Sequence, residues 1–171
     1  MKHALLLFTS LVAFPVLAQL PNTAQLQAIT QKHVRASYAD LNTFLSIPNN
    51  AHIDGQMQPN IDWLRRAFES RGFTVSTLST PTNPLVLAEK PASSEIKTEA
   101  GNPKILLLYM HFDGQPVVPS QWQQPDPYKP VLKQRGSDGT WTPLDWAKLQ
   151  TEYNRTDGSP DWRIFGRSSS D

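Results

Sequence analysis

Residues 105–119 read ILLLYMHFDGQPVVP: six apolar residues in a row, then His111 and Asp113 two positions apart, then a proline-bracketed turn. A short, unbroken apolar run of this kind reads as a strand covered on both faces, and such strands lie near the middle of a sheet. Side chains i and i+2 share one side of an extended chain, so His111 and Asp113 are expected to face together where the strand ends. In open α/β sheets that end is where ligands gather. The Asp113 carboxylate then accepts from one imidazole nitrogen and leaves the other for a metal, an arrangement that fixes the tautomer and raises the ring's basicity. Taken alone, two residues also fit a solvated histidine at a strand end. His3, His33 and His52 carry less context, and His33, on the first helix, reads as a solvated side chain.

Working outward, the preceding chain alternates between two periods. Leu26, Ile29, Val34, Tyr38, Leu41 and Leu45 recur at three- to five-residue intervals, which predicts an amphipathic helix from Thr23 to about Ser46, ended by Ile47-Pro48-Asn49-Asn50. A second helix is predicted from about Pro59 to Arg71, with Ile61, Leu64, Ala67 and Phe68 on one face and Gly72 as its stop. Residues 73–78 alternate apolar and polar, and 85–89 follow Pro84 as a further strand. The stretch from Pro91 to Pro103 is rich in Ser, Lys, Glu and Gly and reads as an exposed connection. Beyond Pro119, Gln134 to Gly139 is a turn between Pro130-Val131-Leu132 and Thr140-Trp141-Thr142, which suggests a hairpin, and 143–150 suits a short helix. Asn154-Arg155-Thr156 matches a glycosylation acceptor, a pattern too short to weigh heavily.

Bulk properties narrow the function classes. The chain has 171 residues, a formal charge of +1 and 39% apolar residues, enough for one domain with a real core, or part of one, and without the broad basic surface that nucleic acid requires. With no cysteine, disulfides and thiolate metal sites are excluded. At the start, Lys2 and His3 precede an apolar run from Ala4 to Leu17, and Val16-Leu17-Ala18 has the small residues of a cleavage site. Residues 1–18 are therefore expected to be a secretory signal peptide, shorter than the ~20 residues a membrane span needs and interrupted by Pro15. Export to the periplasm or the medium follows, with no membrane association after cleavage.

His111, Asp113, Val118, Pro119, Trp122, Pro127 and Tyr128, followed by Gly166, Arg167, Ser168 and Asp171, resemble in order and spacing the motifs of the zinc-dependent aminoacylase, dipeptidase and carboxypeptidase family, peptidase family M twenty. Upstream, LSIPN at 45–49, WLRRAFESRGFTV at 63–75 and NPLVLAE at 83–89 are similar to that family's opening helices and first strands. The resemblance implies an α/β fold in which 19–171 form the N-terminal part of the catalytic domain of a co-catalytic zinc exopeptidase, a mixed central sheet flanked by helices. It implies His111 as ligand of one zinc, Asp113 as the catalytic-centre carboxylate that orients the imidazole, and Asp171 as a carboxylate bridging two zinc ions ~3.5–4 Å apart. Cobalt or manganese also suit such donors. The substrate class implied is peptides or N-acyl amino acids, and the full-length family leaves room for a homodimer. The acidic pair with the general base, the remaining ligands and the lid or dimerisation domain lie downstream of Asp171 in the family, so the isolated segment is expected to be inactive. A non-catalytic truncated remnant or binding module is the alternative.

Two departures from the family pattern carry expectations of their own. Ser168 stands where the family has glycine and is expected to take ordinary backbone geometry. Residues 131–160 are an insertion, expected near the cleft in a substrate-facing or interface role.

Overall fold

The computed structural model describes residues 21–92, 105–152 and 161–170. Residues 1–18, expected to be a signal peptide, most of the 91–103 stretch, the tripeptide 154–156 and Asp171 lie outside these. Helix α1, Thr23–Leu45, begins with a capping box: Asn22 Oδ1 accepts from the Gln25 amide and Gln25 Oε1 accepts from the Asn22 amide, both at 2.9 Å. Each satisfies an amide that has no partner within the helix, and such caps contribute about 1 kcal/mol. Only the far end of α1 packs. Leu26, Ile29 and Val34 stay exposed, whereas Leu45 is buried and Phe44 stacks on Trp63 at 4.6 Å.

Helix α2, Met57–Glu69, starts two residues earlier than its periodicity suggests, because Pro59 falls in the first turn, where its missing N–H would have had no intrahelical partner. It ends as expected: Gly72 adopts φ +78°, the left-handed conformation that suits glycine after a helix. Ile61, almost fully buried, faces inward, and Arg65 ties the helix to the next element by donating to Val75 O at 3.1 Å and Thr77 Oγ1 at 2.8 Å. That element is strand β1, Thr74–Leu78, paired antiparallel with β2, Leu85–Glu89. Among the described residues no helix is long and apolar enough to cross a membrane.

A second sheet has three antiparallel strands in the order β4-β3-β5. They are β3, Val131–Arg135, β4, Trp141–Leu144, and β5, Trp162–Phe165, with the short helix α3, Ala147–Thr151, between β4 and β5. The expected hairpin is present as β3 and β4. Its turn uses Gly139 at φ +83° and Asp138, whose carboxylate accepts from the Thr140 hydroxyl and amide, interactions that hold its pKa below the ordinary value. Leu132, on the central strand and opposite Leu144 and Ile164, has no exposed surface. Trp141 meets Phe165 edge-on at 5.1 Å, and Lys133 Nζ lies 4.6 Å from the Phe165 ring centroid.

The architecture is mixed α/β, built from helices and two small antiparallel sheets. This corrects the expectation of one mixed central sheet with residues 105–110 buried at its middle. Ile105 to Met110 form no strand and are 69–92% exposed. A strand buried on both faces needs neighbours along both edges. Here β1 and β2 pair with each other, β3 has β4 and β5 on either side, and no described strand pairs with 105–110. Composition told what this run must bury, and left open what covers it.

A candidate metal site at a convergence of loops

Three stretches that are distant in sequence meet at the end of the apolar run. The first is 111–115. His111 Nδ1 lies 3.4 Å from Asp113 Oδ1 and 3.2 Å from the Asp113 carbonyl oxygen, so both side chains turn to one side, half exposed. With Nδ1 turned to Asp113, Nε2 is the ring nitrogen left for a metal. The second stretch follows β5. Arg167 Nε donates to Gln115 O at 3.1 Å, a bond across 52 positions of chain. The third is the tryptophan segment: Arg167 N donates to Pro127 O at 2.7 Å, and Gln124 Nε2 to Phe165 O at 3.3 Å. Gly166 permits this docking, since a Cβ there would lie 3.1 Å from Pro130 Cβ and 3.2 Å from Pro130 Cα, with Pro127 and Pro130 both buried.

Residues 45–50, whose own pattern reads as a helix end, prove to be the floor of the convergence. Asn49 is 6% exposed and bonds in three ways. Its carbonyl oxygen accepts from Gly114 N at 2.7 Å, and Asn50 and Gly114 form an isolated parallel bridge. Its Nδ2 donates to Phe112 O at 2.9 Å and to Ser168 Oγ at 3.0 Å. The Phe112 carbonyl can only accept, which fixes the orientation of the amide. Asn49 Oδ1 then faces Gly114 with no hydrogen-bond partner, an arrangement that costs about 1–3 kcal/mol. Any Cβ at 114 would collide with that oxygen at 2.4 Å. Two further buried amides brace the loop: Asn60 Nδ2 donates to Pro48 O at 2.8 Å and Gln56 O at 2.9 Å, and Asn50 N donates to Gln56 Oε1 at 2.9 Å.

Ser168 departs from its expected ordinary geometry. It adopts φ +61°, a left-handed conformation that costs a side-chain-bearing residue about 1–2 kcal/mol relative to glycine, and it is the one non-glycine residue with positive φ among those described. Its hydroxyl accepts the Asn49 bond, which offsets part of that strain.

Two cavities open at this point. One of about 140 Å³ is lined by Phe44, Ile47, Asn49, His111, Asp113 and Ser168. A wider, open cleft of about 340 Å³ is lined by His52, His111, Asp113, Gln115 and Arg167. His52, which carried little weight in the sequence, thus shares a cleft with His111; its amide is held by Asn50 Oδ1 at 3.0 Å. None of residues 131–152 lines either cavity. Residues 131–144 instead build the strands β3 and β4 of the sheet that carries β5, the strand that runs into the turn at Gly166.

Among the described residues no three His, Asp or Glu side chains gather closely enough to hold a metal ion, and Asp171 lies outside them. The chemistry of His111 fits one arm of a zinc site, with Asp113 as the orienting carboxylate. Comparisons with known protein families, with curated proteins and with solved structures find no match to this chain.

Proposed function

We propose that residues 19–171 are the N-terminal part of an exported metallopeptidase or amidohydrolase, one that cleaves amide bonds in peptides or N-acyl amino acids with a metal-activated water. The observation that carries this reading is the bond from Arg167 to Gln115, which joins the two motif segments, 111–115 and 166–168, in one cleft with the His111–Asp113 pair. Chance resemblance of two short motifs gives no reason for them to meet in space.

In this reading His111 Nε2 and the Asp171 carboxylate hold zinc, two ions when the ligand set is complete, with cobalt or manganese as substitutes. Bound there, zinc supplies Lewis acidity and brings the pKa of water toward neutrality. Asp113 keeps the His111 ring in the tautomer with its proton on Nδ1, so that the Nε2 lone pair points outward. Arg167 fixes the Gln115 backbone, and with it the wall of the cleft in which a peptide or N-acyl substrate lies.

The test is genetic and then enzymatic. The reading expects the frame downstream of Asp171 to encode an acidic pair and a later histidine. It expects the polypeptide so specified to release free amino acids from a panel of N-acyl amino acids and dipeptides, with activity lost to a chelator and restored by zinc. A longer polypeptide without zinc-dependent release, or a frame that closes at once, would favour the non-catalytic remnant.

A further inference from the structure

We infer that Asn49 is a positioning residue, a buried amide latch that sets the spacing between the His111–Asp113 segment and the turn at 166–169. The inference rests on the metal-site reading for its consequence, but its geometry is independent of it. One carboxamide group uses both of its N–H bonds on the two segments, one on Phe112 O and one on Ser168 Oγ, positions 63 and 119 residues away in sequence. The same residue's carbonyl holds Gly114, so His111 and Asp113 are followed directly by an anchored position.

Three features show that the latch constrains its surroundings. Gly114 can carry no side chain, since its Cα approaches Asn49 Oδ1 too closely for a Cβ. Ser168 is held left-handed, in the conformation that places its hydroxyl on Nδ2. Asn49 Oδ1 stays buried without a partner, which a side chain free to turn toward solvent would avoid. Pro48, whose carbonyl is held by Asn60, prevents the loop from drifting. A metal ligand at the end of a loop needs such a brace, because about half an ångström in its placement decides whether it reaches an ion held with other ligands.

Native-state hydrogen exchange on the 171-residue chain without zinc tests the latch directly. Asn49→Ala is expected to speed exchange of the Gly114 and Arg167 amides together, by about tenfold or more, while the β3 amides at Leu132 and Gln134 keep their protection. Acceleration at Gly114 with Arg167 unchanged overturns the inference. Should Asn49→Ala unfold the chain, Ser168→Ala cuts only the second arm. It is then expected to speed exchange at 167–169 with β3 unaffected, and no change there overturns the latch. Zinc titration of the longer polypeptide, which carries the remaining ligands, supplies the second readout: Asn49→Ala is expected to weaken affinity by about 10–100-fold, as loss of a supporting partner does. If the parent chain binds zinc and the variant binds equally, positioning by Asn49 is refuted while the metal site stands. If the longer parent polypeptide binds none, the metal-site reading falls, and the exchange data alone judge the latch.

Discussion

Replacing His111 by alanine is expected to remove nearly all bound zinc from the longer polypeptide that supplies the remaining ligands, while leaving the fold intact. The imidazole is half exposed and the polar contacts shown for it are to Asp113, two residues on, so its loss falls among surface substitutions that change stability by about 0.5 kcal/mol or less. Its loss as a ligand is of another order. Changing a residue that merely supports a ligand costs about 10–100-fold in affinity, and removal of the ligand itself should exceed that. Asp113→Asn provides the graded comparison, since an amide can still accept from Nδ1 but carries no charge; a 10–100-fold loss is expected for it. Equilibrium dialysis against zinc measures both, and far-UV circular dichroism checks the fold. A His111→Ala variant with unchanged zinc affinity would place any bound metal elsewhere, for example at His52 across the same cleft.

Leu132→Ala is expected to be the most damaging substitution to the fold. Leu132 has no exposed surface, sits on the central strand of β4-β3-β5 and is one of five buried apolar residues among those described, with Leu45, Met57, Ile61 and Leu149. Truncation of a buried leucine costs about 2–5 kcal/mol through lost transfer energy and the cavity left behind. A domain has only about 5–15 kcal/mol in all. Loss of this sheet also releases β5, and with it the turn at Gly166 that docks on Pro127. Urea unfolding followed by tryptophan fluorescence should register the change, because Trp141 and Trp162 lie on the sheet and Trp146 donates to Pro130 O. A loss under 1 kcal/mol would mean that the sheet is not a main source of stability.

What could be read from the residues was local. The periodicity of 23–45, Gly72 after α2 and the Gly136–Gly139 turn each act within a few positions, and the helices and the β3–β4 hairpin formed within a few residues of their expected bounds. The apolar run at 105–110 failed as a buried strand because burial depends on neighbours that no local pattern specifies. Asn49 was missed for the same reason. A Pro-Asn-Asn sequence reads as a helix stop, and nothing within it shows that its amide reaches carbonyl and hydroxyl partners 63 and 119 residues onward. Ser168 was misjudged because its strain is set by what it bonds to, not by its own preference. The signal that could have found the floor is the pair Asn49-Asn50 at the end of one amphipathic helix, with Asn60 on the inward face of the next, amides that need partners once buried.

The central claim is that the imidazole at the end of the apolar run presents Nε2 to a cation, with Nδ1 held by Asp113. Long-range ¹H–¹⁵N correlation spectra of the His111 ring, recorded during a zinc titration of the longer polypeptide that carries the remaining ligands, address it directly. The account predicts that Nε2 moves to the shift of a metal-bound nitrogen while Nδ1 stays protonated. An Nε2 resonance that remains in place as zinc saturates the chain, or a response from His52 or His33 alone, would contradict it.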